Sequence, residues 1–335
     1  MIYSSLKKLK VIFTLIISFY GMLSGASLNE NLIRGFVVNS YKAMFRKCSL
    51  SDGSTVTQIR KFQIQAADYS PQDYALVVTH NRLETSVVLV SSLLKCREAS
   101  APITESEIQG APSAYLLALA QVSAENINSL SNAGATHEEN QKHNVYLTVD
   151  LCPSHKPLDV ELFKKIQGGV KPVPVVISIS GIWLRDHTSD LNLLLQMESE
   201  GELKITWANH TYSHPYDPKL PLEHNFLLEK NVSLEEEVFK NEKLLLSNGL
   251  VPSVFFRFPG LISDQEDVEA IRAWGLIPVG ANAWLAKGQK PQIGSFILVH
   301  GNGNEPQGLK ILYEDMQKNP ELKNEFSDIH EAFDQ

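Results

Sequence analysis

The chain has 335 residues, of which 30 are Lys or Arg and 38 are Asp or Glu, so its formal net charge is -8. This length suggests about two domains. A composition of 43% hydrophobic and 20% charged residues is typical of a globular protein and not of a disordered one. The basic residues are scattered, and the sequence has no zinc-finger, phosphate-loop or GxGxxG pattern. We therefore expect no nucleic-acid partner and no nucleotide chemistry.

The first 26 residues differ from the rest of the chain. Three lysines, Lys7, Lys8 and Lys10, precede an apolar stretch at 11–23, and the small residues 24–26 follow it. This pattern predicts a secretory signal peptide at 1–26, with an uncleaved N-terminal anchor as the alternative. No second apolar stretch of about 18 residues follows, so we expect no transmembrane span after the signal. The protein is predicted to be exported, either to a periplasm or out of the cell.

The sequence contains three cysteines, Cys48, Cys96 and Cys152. In an oxidising compartment Cys48 and Cys96 can form a disulfide within the first domain, and a pair of buried free thiols is the alternative. Cys152 then remains unpaired, close to a candidate active-site residue, Asp150.

Residues 27–140 are predicted to form a smaller α+β domain, in which no motif identifies a role. Apolar alternation and β-branched residues predict strands near 74–79 and 86–90, and a helical pattern covers 111–121. The segment 126–144 is rich in Asn, Ser, Gly, Glu and His, which is typical of a linker or a long surface loop. We place the domain boundary within this segment.

The second domain is predicted to span 141–320, followed by a C-terminal tail at 321–335. Its β-rich runs alternate with helical periods, which indicates parallel strands joined by helices. Strands are predicted at 145–149, 173–179, 204–208, 254–258, 277–281 and 296–299, and helices at 157–166, 189–200, 233–247, 264–274 and 307–318. Ser233 is predicted to cap the helix at 233–247, with Glu236 three residues on. The pattern favours an α/β fold that is a distorted or incomplete (β/α) barrel, because polar residues follow the carboxyl ends of successive strands. Residues 282–295 leave no room for a complete unit, so we expect an irregular ring there.

Ionisable side chains stand at the ends of four predicted strands. Asp150 ends the first strand, His210 and His214 follow the third, Arg257 lies in the fourth and His300 ends the sixth. A carboxylate in the mouth of a barrel suits a general base or a metal ligand, and two imidazoles four residues apart can bind one metal ion. Each residue alone has an ordinary structural explanation, such as a turn cap or a buried histidine. Together, the four strand ends predict one functional site.

In this order the motifs resemble those of the polysaccharide deacetylase family, the carbohydrate esterases with a NodB homology domain. The family motif TFDDG is matched by TVDLC at 148–152, and its second motif by His210, Thr211 and His214. The later motifs are matched by Arg257 with Pro259, and by Leu298 with His300. The resemblance covers roughly residues 145–316, more than half of the chain, and leaves the first domain unassigned.

The resemblance implies a role for each matched residue. Asp150 would be the general base that activates water, and His210 and His214 would hold a divalent metal such as zinc. Arg257 would orient the base, and His300 would protonate the leaving amine.

Three further residues are candidates for the substrate pocket. The resemblance implies that Leu298 lines the acetyl pocket. Trp284 is the preferred candidate for contact with a sugar ring. Tyr212 lies between the two candidate metal ligands in the sequence, and it is a candidate for lining the cleft.

Two positions depart from the family pattern. The second Asp of TFDDG, a metal ligand in the family, is Leu151, and leucine cannot coordinate a metal. Asp150, a Cys152 thiolate, or water beside the two histidines can take its place. The fourth motif keeps an aromatic residue at Trp284 but has Asn282 where the family has a carboxylate.

These features predict an exported, metal-dependent hydrolase that acts on carbon–nitrogen bonds other than peptide bonds and removes acetyl groups from a glycan of the cell-wall type. Two alternatives stay open. Because Leu151 replaces a metal ligand, the chain can be a catalytically inactive carbohydrate-binding homologue. Because the motifs define the reaction centre and not the ligand beyond it, the chain can also be an amide hydrolase of a non-sugar substrate.

Overall fold

The computed structural model describes residues 36–65, 70–79, 82–98, 113–122, 130, 132–140, 144–168 and 171–333. The predicted signal peptide at 1–26 lies outside the described residues. In the part of the chain that is described, no helix is both long and apolar enough to cross a bilayer.

The first domain contains a five-stranded antiparallel sheet in the order β4-β3-β2-β1-β5. Its strands are β1 (Val37–Ser49), β2 (Thr55–Gln65), β3 (Gln72–Thr79), β4 (Thr85–Leu89) and β5 (Leu94–Glu98). A helix follows at α1 (Ala114–Gln121), and the hydroxyl of Ser113 caps it by accepting a hydrogen bond from Leu116 N at 3.3 Å. The predicted strands at 74–79 and 86–90 thus correspond to β3 and β4.

Of the two alternatives for Cys48 and Cys96, the structure has the disulfide, which joins the two neighbouring strands β1 and β5. Cys152 is the remaining free cysteine, and it is buried.

The second domain is an incomplete (β/α) barrel, as the sequence predicts. Seven parallel strands lie in the order β10-β9-β8-β7-β6-β12-β11. They are β6 (Tyr146–Leu151), β7 (Val173–Ile179), β8 (Leu203–Asn209), β9 (Phe255–Phe256), β10 (Ile277–Pro278), β11 (Ala283–Trp284) and β12 (Phe296–His300). The barrel is incomplete because β10 and β11 are the two edges of the sheet. The last strand, β12, pairs with the first, so His300 lies opposite Asp150.

Six helices accompany these strands. They are α2 (Val160–Lys165), α3 (Gly181–Asp186), α4 (Thr188–Ser199), α5 (Leu234–Ser247), α6 (Gln265–Ala273) and α7 (Pro306–Lys318). The predicted cap of α5 is confirmed, since the Ser233 hydroxyl accepts a hydrogen bond from Glu236 N at 3.3 Å. Short 3-10 turns lie at Val90–Ser92, Leu222–His224, Phe226–Leu228, Pro259–Leu261, Leu285–Lys287, Pro320–Asn324 and Ile329–Phe333.

Alternation along the strands separates two apolar layers. Leu147, Val149 and Leu151 of β6 pack in the outer core beneath helices α2, α4, α5 and α7. The intervening residues point to the inside of the barrel. Tyr146 therefore reaches the first domain, and Asp150 stands in the mouth.

The first domain closes the inside of the barrel from the amino-terminal side of the strands. One apolar cluster joins its sheet and α1 to the inner faces of the barrel strands and to the C-terminal 3-10 turn. Its larger members are Ile59, Phe62, Leu76, Tyr115, Tyr146, Val176, Phe255, Phe296, Ile329 and Phe333. A fully buried ion pair reinforces this contact, with Arg60 Nε 2.7 Å from Glu242 Oε2 of α5.

Several predicted bounds differ from the observed ones at the edges of the barrel. The strands predicted at 254–258 and 277–281 are reduced to Phe255–Phe256 and Ile277–Pro278. Pro259 starts a 3-10 turn, and Pro278 has no N–H group to extend the ladder. The described part of the predicted linker, 132–140, lies along the sheet through bridges of Ala135 to Val279 and of His137 to Ser295.

Candidate metal and catalytic site

Four of the predicted site residues meet at the carboxyl ends of β6, β8, β9 and β12. Asp150, His210, Arg257 and His300 are 4%, 1%, 1% and 9% exposed, so the site is almost fully withdrawn from water. Polar groups at this depth are costly unless they are paired or bind a ligand. Their concentration at one end of the sheet therefore marks a site.

Three potential metal ligands converge in this pocket. The ligand atoms of Cys152, His210 and His214 all lie within 4.8 Å of one another. Cys152 Sγ is 3.5 Å from His210 Nε2, and the two imidazole rings are 4.7 Å apart between centroids. The predicted pair His210 and His214 is thus brought together, and Cys152 joins it.

The turn from His210 to His214 is built to bring the second ring back beside the first. Thr211 and His214 have positive φ angles of 64° and 47°, a region that residues with side chains rarely occupy. Helix α5 holds this turn in place, since Glu237 accepts hydrogen bonds from Ser213 N and Ser213 Oγ, each at 2.7 Å. The strained conformation persists because the packed helix stabilises it.

His210 has a defined orientation and tautomer. Its Nδ1 lies 2.8 Å from the carbonyl oxygen of Arg257, and a carbonyl can only accept a hydrogen bond. The proton therefore sits on Nδ1, and the lone pair of Nε2 points into the pocket. This arrangement is the usual one for a metal-binding histidine.

Asp150 lies between His210 and Arg257. Its Oδ2 is 3.8 Å from His210 Nε2, and its Oδ1 is 3.7 Å from Arg257 Nη1, which is longer than a hydrogen bond. Arg257 Nη2 donates instead to Thr148 Oγ1 at 2.9 Å. Among the described residues, Asp150 Oδ1 and Arg257 Nη1 are buried without a hydrogen-bond partner. The carboxylate therefore keeps one oxygen free to accept a proton.

A carboxylate that the sequence analysis missed stands behind His300. Glu305 Oε2 is 3.0 Å from His300 Nδ1 and accepts a hydrogen bond of 2.7 Å from Trp284 Nε1. Burial raises the pKa of Glu305, but His300 and Trp284 outweigh it and hold that pKa below its ordinary value. Glu305 stands outside every motif. The sequence offers one indication of Glu305: it follows the GNGN turn, whose glycines let the chain fold back towards His300.

The charges in the pocket are coupled. Burial alone would raise the pKa of the Cys152 thiol, but interactions with His214, His300 and His210 outweigh it, so that pKa lies well below its ordinary value. Burial lowers the pKa values of His214 and His300, but interaction with Cys152 outweighs it and raises both. The pocket thus favours a thiolate that faces positive charge.

The aromatic candidates fall into different surroundings. Trp284 packs with Leu298, Leu261 and Ala281 in a small apolar cluster beside the site, and its ring centroid is 6.4 Å from that of His300. The ring of Tyr212 packs between α3 and α5, against the backbone of Gly181 and 3.6 Å from the ammonium of Lys240.

A different tyrosine is exposed beside the metal-ligand candidates. Tyr216 is 60% exposed and stacks on Phe226 at 5.1 Å, and Phe226 packs edge-on against His214 at 5.9 Å. Sequence reasoning did not single out Tyr216, because its exposure depends on how the loop after His214 folds.

The donor set fits a divalent metal. Two imidazoles and a thiolate are the ligands that zinc prefers, and the orientation of His210 suits a cation. His214 Nε2 is a buried atom with no hydrogen-bond partner among the described residues. With Asp150 and His300 on either side, the arrangement can also exchange protons with a bound substrate.

No protein-family model matches the sequence. Comparison with solved structures finds a family 4 carbohydrate esterase from Bacillus anthracis with 19% identity and a TM-score of 0.44, covering 60% of this chain and 87% of that one. A family 4 carbohydrate esterase from Bacillus subtilis has 15% identity and a TM-score of 0.40, covering 55% of this chain and 79% of that one. A family 4 pseudoenzyme from Bacillus anthracis has 14% identity and a TM-score of 0.41, covering 62% and 70%. All three have TM-scores below 0.5 and identities below 20%, so the likeness concerns the fold alone.

Proposed function

We propose that this chain is an exported, metal-dependent hydrolase that removes acetyl groups from a glycan of the cell-wall type. The observation that carries the proposal is the convergence of the metal-binding donors of His210 and His214 with Asp150 and His300 in one buried pocket. Export rests on the lysine-rich and apolar segment at 1–26.

His210 and His214 are the residues that would hold a divalent metal, and we assign it as zinc. A bound zinc ion polarises a carbonyl group and lowers the pKa of water. The chain contributes the orientation of the ligands, because the Arg257 carbonyl fixes the ring of His210 at 2.8 Å. It also excludes bulk water, because the donors lie in a buried pocket.

Asp150 is assigned as the general base. Its Oδ1 is buried and has no hydrogen-bond partner among the described residues, so it can take the proton of an attacking water molecule. Arg257 lies 3.7 Å from this oxygen and is itself anchored by Thr148, so it orients the carboxylate.

His300 is assigned as the general acid that protonates the leaving amine. Its ring lies across from Asp150 in the strand register, so acid and base stand on neighbouring strands. The carboxylate of Glu305 lies beside this ring, with Oε2 3.0 Å from Nδ1. Leu298, with Trp284 beside it, lines the space for an acetyl group.

The rival function is a catalytically inactive carbohydrate-binding protein. One observation favours it: Leu151, at the position of the family's second metal-motif Asp, is 0% exposed and lies in the outer apolar core. If no other side chain supplies that ligand, metal binding is weakened and turnover is lost.

Acetate release distinguishes the two functions. The purified mature protein is assayed on a panel of acetylated glycans and small acetylated amides, with and without added divalent metal. We expect metal-dependent release from a glycan, and a loss of at least about 100-fold in Asp150→Asn, because the amide is nearly isosteric but cannot act as a base.

Asp186→Asn on the exposed part of α3 is the matched control and is expected to keep full activity. No release from any substrate at any metal concentration would contradict the hydrolase. Glycan binding without release would identify the inactive homologue, and release from non-sugar amides alone would replace the substrate class.

A further inference from the structure

We propose that Cys152 completes the metal centre as a thiolate ligand, so that a Cys-His-His set replaces the missing carboxylate at position 151. This inference rests on the proposed metal dependence and names the third protein ligand, together with the class of metal that the site selects. It is supported by the positions of the ligand atoms of Cys152, His210 and His214.

The strand geometry explains why residue 152 and not residue 151 is the ligand. Side chains alternate along β6, so Asp150 faces the pocket and Leu151 faces the outer core with Leu162 and Ile179. Cys152 comes next and faces the pocket again, where it is 6% exposed. A donor at 151 would lie behind the sheet in this register, whereas a donor at 152 lies beside the histidines.

The distances match a metal site. In tetrahedral zinc sites, with Zn–S of about 2.3 Å and Zn–N of about 2.0–2.1 Å, sulfur and nitrogen ligands stand about 3.5 Å apart. Cys152 Sγ and His210 Nε2 are 3.5 Å apart, and the ligand atom of His214 lies within 4.8 Å of both. Small side-chain adjustments are therefore enough to bind the ion.

The backbone around Cys152 is held firmly. Asn302 Nδ2 donates to the carbonyl oxygen of Cys152 at 2.5 Å, and Ser154 Oγ donates to the carbonyl oxygen of Asn302 at 3.2 Å. His187 Nε2 lies 2.8 Å from the carbonyl oxygen of Ser154. These contacts fix the backbone from which the thiol projects, as is expected of a preorganised ligand.

A thiolate changes the metal preference. A set of one sulfur and two imidazole nitrogens selects zinc or cobalt over magnesium and manganese, which prefer oxygen ligands. Asp150 then remains free of the metal and available to accept a proton. The neighbouring free oxygen, Asp150 Oδ1, is buried and without a hydrogen-bond partner among the described residues.

Cobalt substitution tests the proposal, because a cobalt–thiolate bond gives a charge-transfer band in the near ultraviolet. The mature protein is freed of metal with a chelator and titrated with Co²⁺, and zinc affinity is measured by competition. The band can arise from Cys152 alone, because Cys48 and Cys96 form a disulfide. We expect the band in the wild type and its loss in Cys152→Ser, with zinc affinity weaker by about 100-fold or more.

Two further variants keep the test decisive. Cys152→Asp restores a carboxylate ligand, so it should bind zinc within about 10-fold of the wild type but show no charge-transfer band. His155→Ala changes an exposed potential ligand near Cys152 and should keep both the band and the affinity. Circular dichroism of each variant checks that the fold is retained.

The outcomes separate this inference from the proposed function. A wild type that binds cobalt with ligand-field bands but no charge-transfer band overturns the role of Cys152 and leaves metal dependence intact. Equal zinc affinity in Cys152→Ser overturns it as well. A wild type that binds neither zinc nor cobalt overturns both this inference and the metal dependence of the proposed function.

Discussion

At the scale of single residues, the site keeps donor atoms where the motif pattern has lost them. The sequence has Asn282 in place of a carboxylate in the fourth motif. A carboxylate from another part of the chain lies beside His300, since Glu305 Oε2 is 3.0 Å from His300 Nδ1. The absence of a motif residue therefore does not show that the function is absent, because catalysis depends on where side chains lie in space and not on their order in the sequence.

We expect Glu305→Gln to lower kcat by about 10- to 100-fold with little change in KM. The amide keeps an oxygen that can accept the hydrogen bond from Trp284, but it removes the negative charge that orients His300 and stabilises its protonated form. Steady-state acetate release measures both constants. Glu314→Gln, on the exposed face of α7, is the matched control. An unchanged kcat in Glu305→Gln would remove Glu305 from the mechanism.

At the scale of elements, helix α5 links the site to the first domain. Glu237 of this helix holds the turn that carries His214, and Glu242 pairs with Arg60 of β2. Glu242 also accepts a hydrogen bond from Tyr41 of β1 at 2.7 Å, and Arg60 donates to the carbonyl oxygen of Trp274. One face of α5 is thus fixed by the first domain, while another fixes the turn that carries His214.

Glu242→Gln is expected to lower the free energy of unfolding by about 3–5 kcal/mol. Both partners of the ion pair have 0% side-chain exposure, so removing one charge leaves the other buried and uncompensated. The double variant Arg60→Met with Glu242→Leu should lose clearly less than the sum of the losses in the single variants Arg60→Met and Glu242→Leu. Urea unfolding of all four proteins gives the coupling energy, and additive losses would show that the two charges do not interact.

The sequence predicted the central strands and the longer helices of the barrel better than the short strands at its edges. The strand at 173–179 and the cap at Ser233 agree with the structure because apolar period and capping residues act locally. The two-residue edge strands and the short helix α3 were not predictable in this way. Edge strands depend on which neighbour they meet, and a helix of six residues is too short to show a period.

The site was predicted only as far as the motifs reach. Asp150, His210, His214, Arg257 and His300 were all selected from strand ends and motif order. Glu305 was missed, since its distance to His300 depends on how the glycine turn folds back. Tyr212 was selected for its place in the sequence, but the tight turn directs its ring between α3 and α5.

The C-terminal segment also stabilises the barrel, in a pH-dependent way. Asp328 pairs with Lys204 of β8 at 2.6 Å and with His330. Burial raises the pKa of the Asp328 carboxyl, but His330 and Lys204 outweigh it and lower that pKa far below its ordinary value. Because the folded-state pKa is depressed, the stabilisation is complete above the unfolded-state pKa of about 3.9 and is lost as the pH falls below it.

We therefore expect Asp328→Asn to be less stable than the wild type at pH 5 to 7, by about 1–2 kcal/mol. The difference should shrink by about 1 kcal/mol between pH 5 and pH 3, as the wild-type carboxyl takes up a proton in the unfolded state. Urea unfolding at each pH measures the free energies. A difference that stays constant down to pH 3 would show that the charge of Asp328 is not the cause.

At the scale of the whole molecule, one large apolar cluster is shared by the two domains. Phe62 and Tyr115 of the first domain belong to the same cluster as Tyr146, Phe255 and Phe296 of the barrel. Chains of two domains often unfold in separate steps, because each domain has its own core. Here neither domain can unfold without exposing the apolar surface of the other, so folding of the first domain stabilises the barrel that carries the site.

We expect the protein with its disulfide intact to unfold in a single thermal transition, with a calorimetric enthalpy equal to the van't Hoff enthalpy. Phe62→Ala should lower the free energy of unfolding by about 3–5 kcal/mol, because it opens a cavity in the shared core, and the single transition should move as a whole. Leu94→Ala, at an exposed position of β5, is the control and should change stability by less than about 0.5 kcal/mol. Calorimetry resolving two transitions, of which Phe62→Ala shifts only the one from the first domain, would show that the domains are energetically independent.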